Sequence, residues 1–394
     1  MRPLYNILTG ALLAFSLAGC ETFTPDAPSS AQIQQDENTL EDSTNVVVLV
    51  RTQEQANTLL VNAARRGYQL NERMHLEALE MILLDFERPL GVSGDIAISD
   101  MKKMEPSATA GLDHLYTLQS ETRSNPATLP RLYAQTMLAW PVDGCATNSS
   151  IGMIDGYVTP SNLSTPDAVI ITKDFSKGAI GASDHGTAIA ELLIGKGRLT
   201  GASLYSASVV AADSAQQQGA GVFELVRAIN WMQSEGVPLV NISLAGPYNA
   251  ILDRAVQRAN RKGMIMIAAV GNDGPDAKPR YPAAFDAVIA VTAIDSSRNI
   301  YNRAVRGNHV DFAAPGVDVF VNNGPDAKYL TGTSLAAPFV TALIASDTHL
   351  SAEDSITNIR TQMSSATEDL GPSGYDPVYG RGLVRSTGNC TPPK

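Results

Sequence analysis

The sequence predicts an α/β protein: a parallel β-sheet with helices on both faces, preceded by a small α+β domain. Three observations lead there. From residue 151 onward, short apolar stretches alternate with amphipathic ones, the pattern of buried strands joined by crossover helices. Residues 46–119 read in the order β-α-β-β-α-β, which is the ferredoxin-like arrangement. The chain has 394 residues, 44% hydrophobic and 18% charged, an ordinary globular composition long enough for two domains. A formal net charge of −11 and the lack of any basic run argue against nucleic acid as a partner.

The first elements are not part of the fold. Arg2 supplies a minimal positive start, and residues 7–17 form an apolar run too short for a permanent bilayer span. The run ends in Leu17-Ala18-Gly19-Cys20, which resembles the bacterial lipoprotein signal. That resemblance implies a signal peptide over 1–19, cleavage before Cys20 and lipidation of its thiol; the alternative is an ordinary secretory signal. In a Gram-negative host, Glu21 after the cysteine leans toward the outer membrane, facing the periplasm or the surface. Residues 20–45 are rich in Ser, Thr, Pro, Asp, Glu and Gln, the composition of a flexible tether.

The small domain follows over 46–119. Residues 46–50 are a buried-strand run. Over 53–66, Ala56, Leu59, Leu60 and Ala63 share one helical face, and Gly67 ends the helix. Strands are expected around 68–73 and 79–86, a second helix over 96–104, and a closing strand over 114–119. Ser124, Asn125, Pro126 and Pro130 then break regular structure, so 120–144 is expected to be connector.

In the large domain, 145–394, strands are expected at 151–154, 168–171, 202–210, 237–243, 264–269 and 288–293. Helices are expected at 186–194, 222–235, 250–262 and 334–345. Functional residues of such sheets lie beyond the carboxyl ends of strands; Asp155, Ser243 and Asn272 fall at or just past such ends. His185 and Ser334 each open a helix. In Gly332-Thr333-Ser334-Leu335-Ala336-Ala337-Pro338, a tight turn delivers a serine to a helix N-terminus, where unpaired N–H groups offer positive potential. The plain alternative is that Ser334 is only an N-cap. Asn272 lies between Gly271 and Asp273-Gly274, a turn suited to exposing a side-chain amide. Cys145 and Cys390 mark the two ends of this domain. An oxidising envelope and the nearness of domain termini favour a disulfide between them; two independent thiols are the alternative.

At these residues the sequence resembles the subtilisin-like serine proteases, the subtilase family, in a lipoprotein form. The order Asp155, His185, Ser334 is that of subtilisin. Gly332–Pro338 is similar to the family's serine motif, His185-Gly186-Thr187 to its histidine motif, and Asn241-Ile242-Ser243-Leu244-Ala245-Gly246-Pro247 to its cleft strand. Tyr281-Pro282-Ala283-Ala284 and Ala313-Ala314-Pro315-Gly316 are further landmarks. The resemblance covers about 145–385. It implies an Asp155–His185–Ser334 triad, Asn272 in the oxyanion hole, and substrate binding by Ser243, Leu244, Ala245, Gly246, Ala268, Ala269 and Val270. It further implies that the domain at 46–119 is an inhibitory or chaperoning propeptide. After Asp155 the family usually carries Thr or Ser and then Gly; this chain has Gly156-Tyr157.

The function so implied is a serine endopeptidase that acts on polypeptides through an acyl-enzyme and is tethered to the bacterial cell envelope by lipid. The alternative is a catalytically silent binding lipoprotein of the same fold. No cofactor is called for, and no residue cluster reads as a metal site. If the chain cuts itself near 120–135, the lipid stays with the small domain.

Overall fold

The computed structural model describes residues 45–119, 121–122, 131–165, 168–177, 184–210, 219–322, 327–351 and 355–393. The signal segment, Cys20 and nearly all of the tether lie outside the described residues, as do 123–130 of the connector.

The small domain contains β1 (Asn45–Val50), α1 (Gln53–Arg65), β2 (Gln69–Leu76), β3 (Met81–Glu87), α2 (Gly94–Met104) and β4 (Thr109–Leu112). Thr52 and Gln55 form a reciprocal capping box at the start of α1, and Ser93 caps α2, which satisfies backbone donors that a helix start leaves open. The sheet order is β2-β3-β1-β4, as a ferredoxin-like unit requires. The expected closing strand over 114–119 is corrected. The fourth strand of this sheet is β4, paired with β1. Leu115–Leu118 forms β5, which leaves the sheet and pairs only with the large domain. Both pieces are short and apolar, so local pattern does not tell which one the sheet takes.

β6 (Glu121–Thr122) follows β5, and α3 (Tyr133–Met137) precedes β7 (Cys145–Ala146). The expected connector therefore ends earlier than 144. Tyr133, Ala134, Met137, Leu138 and Trp140 are buried in the main core. The Tyr133 hydroxyl donates to the Val317 carbonyl, and Trp140 Nε1–H donates to the Gly197 carbonyl at 3.1 Å.

In the large domain come β8 (Ser150–Asp155), β9 (Val169–Asp174), α4 (Asp184–Ile194), β10 (Leu199–Thr200), β11 (Ser203–Ser208), β12 (Gly219–Gly221) and α5 (Val222–Ser234). They are followed by β13 (Leu239–Ile242), β14 (Leu244–Ala245), α6 (Ala250–Asn260), β15 (Ile265–Ala269) and β16 (Val288–Ile294). The chain ends with β17 (Phe312–Pro315), β18 (Val319–Val321), β19 (Lys328–Thr331), α7 (Thr333–Ser346) and α8 (Ile356–Ser364). Seven strands form one sheet in the order β17-β16-β15-β13-β8-β11-β9, all pairs parallel. Helices flank it as two packed pairs, α4 with α7 and α5 with α6. Strand β17 and helix α8 were not expected. β17 is only four residues and ends in Pro315, and α8 is polar on most of its surface. Cys145 and Cys390 form a disulfide that joins the two ends of the domain.

Candidate active site

Three strand ends and two helix starts converge above the sheet. Asp155 is the last residue of β8 and is fully buried. Its Oδ1 accepts from His185 Nδ1–H at 2.7 Å and from the Gly156 N–H at 2.6 Å. With Nδ1 carrying that proton, Nε2 is the free base of the imidazole. Nε2 lies 3.1 Å from Ser334 Oγ. His185 sits in the first turn of α4, and Gly186 lets that turn approach the Gly156–Tyr157 loop: a Cβ on Gly186 would stand 2.3 Å from the Gly156 carbonyl oxygen. Asp155 Oδ2 has no hydrogen-bond partner among the described residues. Gly156 has no side-chain hydroxyl, and its backbone N–H serves Oδ1 instead.

Ser334 is the second residue of α7, a helix buried along its whole length. Pro338 lies four residues on and has no N–H to return to the Ser334 carbonyl. That carbonyl accepts instead from Ser243 Oγ, at 3.4 Å. Ser243 Oγ in turn accepts from Asn241 Nδ2 at 2.8 Å, and Asn241 Oδ1 accepts from Thr341 on the same helix at 3.2 Å. Asn241 and Ser243 therefore tie the end of β13 to the helix that carries Ser334.

Asn272 follows β15 through Gly271. Its Oδ1 accepts from the Thr333 N–H at 3.1 Å and from Thr333 Oγ1 at 2.9 Å. Two donors on the oxygen fix which end of the amide is which, and the NH₂ is the end left to other partners. Thr333 is a positioning residue that the sequence reasoning missed; its place beside Ser334 in the motif was the available signal.

The cleft is occupied by the chain itself. β5 runs antiparallel to β12, with Tyr116 opposite Ala220, and to β14, with Leu118 opposite Leu244 and Thr117 opposite Ala245. Residues 244 and 245 thus pair with an extended segment, and Gly246 lies under the Tyr116 ring. Ala268, Ala269 and Val270 are buried beneath; the first two pair with β16, and the Val270 N–H donates to the Val291 carbonyl. The Gln119 carbonyl oxygen lies 2.5 Å from Ser334 Oγ and accepts from the Ser334 N–H at 3.3 Å. Beyond it, β6 pairs with β19, just before Ser334. Neither Gln119 nor β12 was singled out from the sequence; the run Gly219-Ala220-Gly221, free of bulky side chains, was the signal for β12.

The fold and this site define the class: a serine hydrolase with an extended cleft that binds polypeptide as an added strand. The comparisons make it particular. The subtilase family profile matches residues 171–382, a span that holds His185, Asn272 and Ser334 and begins after Asp155. Subtilisin DY of Bacillus licheniformis is 31% identical over 276 residues, covering 66% of this chain and 96% of that protein. Subtilisin E of Bacillus subtilis (strain 168) is 27% identical over 306 residues, 73% of this chain and 76% of that protein. Fervidolysin from Fervidobacterium pennivorans, described as a keratinolytic enzyme related to subtilisin, shares the fold with a TM-score of 0.67 at 18% identity. That match covers 88% of this chain and 60% of fervidolysin's. The chain belongs to the subtilase family and is a serine endopeptidase.

Proposed function

We propose that Ser334 is the nucleophile, His185 its general base and Asp155 the group that fixes the imidazole tautomer and stabilises the imidazolium. The Ser334 N–H and the Asn272 amide would hold the oxyanion. The observation that carries this reading is that Ser334 Oγ has both the Gln119 carbonyl oxygen, at 2.5 Å, and His185 Nε2, at 3.1 Å, within hydrogen-bond reach. Oγ would attack the Gln119 carbonyl carbon as its proton passes to Nε2. The tetrahedral intermediate would collapse as His185 protonates the nitrogen of Ser120. Water, activated by the same imidazole, would then release the acyl group.

The first substrate is then the chain's own bond between Gln119 and Ser120, and the N-terminal domain is an intramolecular inhibitor. Its hold on the enzyme does not depend on that bond. Asn249 Nδ2 donates to the Leu112 carbonyl at 2.8 Å, Arg258 Nε to the Leu79 carbonyl at 3.0 Å, and Lys262 pairs with Glu80 at 2.6 Å. With Cys20 lipidated, the cut would leave the lipid on the inhibitor and hold the enzyme at the envelope through non-covalent contacts alone; the disulfide cysteines both lie beyond the cut.

The test is intact mass of the full chain, with and without a fluorophosphonate probe, beside Ser334→Ala. The expected result is a chain that begins at Ser120 and labels at Ser334, and a variant that stays folded, uncut and unlabelled. Peptide turnover by Ser334→Ala equal to wild type would end the proposal. Envelope anchoring is tested separately by fractionation: uncut, active chain in the membrane would count against retention by contact.

A further inference from the structure

Within β5 and the residue after it, two side chains are read by polar atoms of the cleft. Tyr116 is fully buried, its ring lies on Gly246, and its hydroxyl donates to the Pro247 carbonyl at 2.7 Å. A Cβ on Gly246 would stand 2.6 Å from the ring, so the seat exists because residue 246 has no side chain. Three residues on, Gln119 uses its whole amide. Its Oε1 accepts from the Asn272 backbone N–H at 2.8 Å. Its Nε2 donates to the Thr117 carbonyl at 3.0 Å and to Thr117 Oγ1 at 3.1 Å. Residues 117 and 119 are two apart on an extended strand, so they share a face and this internal bond forms without distorting the backbone.

We propose that the enzyme selects polypeptides with glutamine at the residue whose carbonyl meets Ser334 and tyrosine three residues before it. The Asn272 N–H reads the glutamine amide oxygen, and the Pro247 carbonyl reads the tyrosine hydroxyl. The inference rests on the catalytic role proposed for Ser334 and adds the substrate class.

Each selection has a physical reason. Leucine in place of glutamine leaves the buried Asn272 N–H without its acceptor, and an unmade buried bond costs more than a made one gains. Glutamate keeps an acceptor for Asn272 but sets a second acceptor against the Thr117 carbonyl and places a negative charge beside the developing oxyanion. Phenylalanine fills the Gly246 seat but leaves the Pro247 carbonyl unpaired. Threonine two residues before the glutamine orders its amide before it binds.

The test uses the full-length protein after self-processing and the peptide Leu-Tyr-Thr-Leu-Gln carrying a fluorogenic amide leaving group. Replacing its glutamine with leucine should lower kcat/KM about tenfold, glutamate should lower it further, and replacing tyrosine with phenylalanine should lower it about fivefold, the range expected for one hydrogen bond. The same changes in the chain, Gln119→Leu, Gln119→Glu and Tyr116→Phe, should slow appearance of the fragment that begins at Ser120 in the same order. Gly246→Ala should lose the tyrosine preference. Equal kcat/KM for glutamine and leucine, or for tyrosine and phenylalanine, overturns the inference and leaves the catalytic role standing. A chain that neither cuts itself nor turns over any peptide overturns both.

Discussion

The two sheets of this molecule are buried in different ways. In the small sheet, Val46, Val48, Val50, Ile82, Leu84 and Phe86 face the domain's own helices and form its own core. The alternate residues Val47, Leu49, Leu76, Met81 and Leu83 belong to the core of the large domain. In the large sheet, β13, β15, β16 and β17 are buried at every position, and helices of the same domain cover them. The small domain thus owns one face of its sheet and borrows cover for the other. The small domain can therefore have a core of its own and still depend on its neighbour. Each aliphatic side chain on the borrowed face is worth about 1.5–3 kcal/mol when covered, and that gain exists only while the domain is docked.

The comparison can be broken or sharpened from its largest consequence down. Because Asp155, His185 and Ser334 all lie in the large domain, Ser334→Ala in steady-state peptide hydrolysis is expected, on the proposed roles, to lower kcat by about 10⁶, a magnitude established with subtilisin itself. Asn272→Leu should lower kcat by about 10²–10³, again a subtilisin figure for losing one oxyanion donor, with KM little changed. Next comes the disulfide, which clips only the large domain across a sequence separation of 245. Replacing Cys145 and Cys390 together with alanine should cost up to about 5 kcal/mol in denaturant unfolding. The small domain should unfold with the large one, having lost its cover. Leu83→Ala on the borrowed face should cost about 2–5 kcal/mol of small-domain stability while the large domain unfolds as before. A large domain destabilised equally by Leu83→Ala would break the asymmetry.

The smallest effect is on pH. Asp113, from the segment leaving the small domain, and Glu224, at the start of α5, share Lys177 at 3.2 and 3.1 Å. Burial, and then the Asp113 charge, hold Glu224 above the ordinary carboxylate range. Releasing the small domain removes the Asp113 charge that helps hold Glu224 up, so docking is expected to take up a proton. The contribution to affinity is full below the ordinary glutamate value of 4.5 and is lost as pH rises through the raised value. Binding of the cleaved small domain, measured against pH, should weaken over that window, and Glu224→Gln should flatten the profile. A profile that strengthens with rising pH would refute this.

Much of this was legible in the sequence because it depends on local pattern. The alternation of apolar strands with helices after residue 151 specifies a parallel sheet, since strands buried on both faces read as continuous apolar runs. Asp155, His185, Asn272 and Ser334 stood out because each sits at a strand end or helix start within a short motif, and such places recur for geometric reasons. The run 46–50 likewise announced a strand buried on both sides.

What covers a second face is a question of tertiary structure, and no local pattern answers it. Val47 and Leu49 look the same whether a helix of their own domain or of another lies over them. Leu115–Leu118 carries no mark that separates a fourth sheet strand from a segment laid in a cleft; β12 and β14 decided that by offering unpaired backbone on either side. Tyr133 and Trp140 followed a stretch of loop-forming residues, and only packing drew them into the core. The sequence by itself determined the parallel sheet and the order of the chemical groups along it, because those follow from residue type and period. The tertiary structure decided which segment fills the cleft and which carbonyl meets Ser334, because backbone pairing and shape act between segments far apart in the chain.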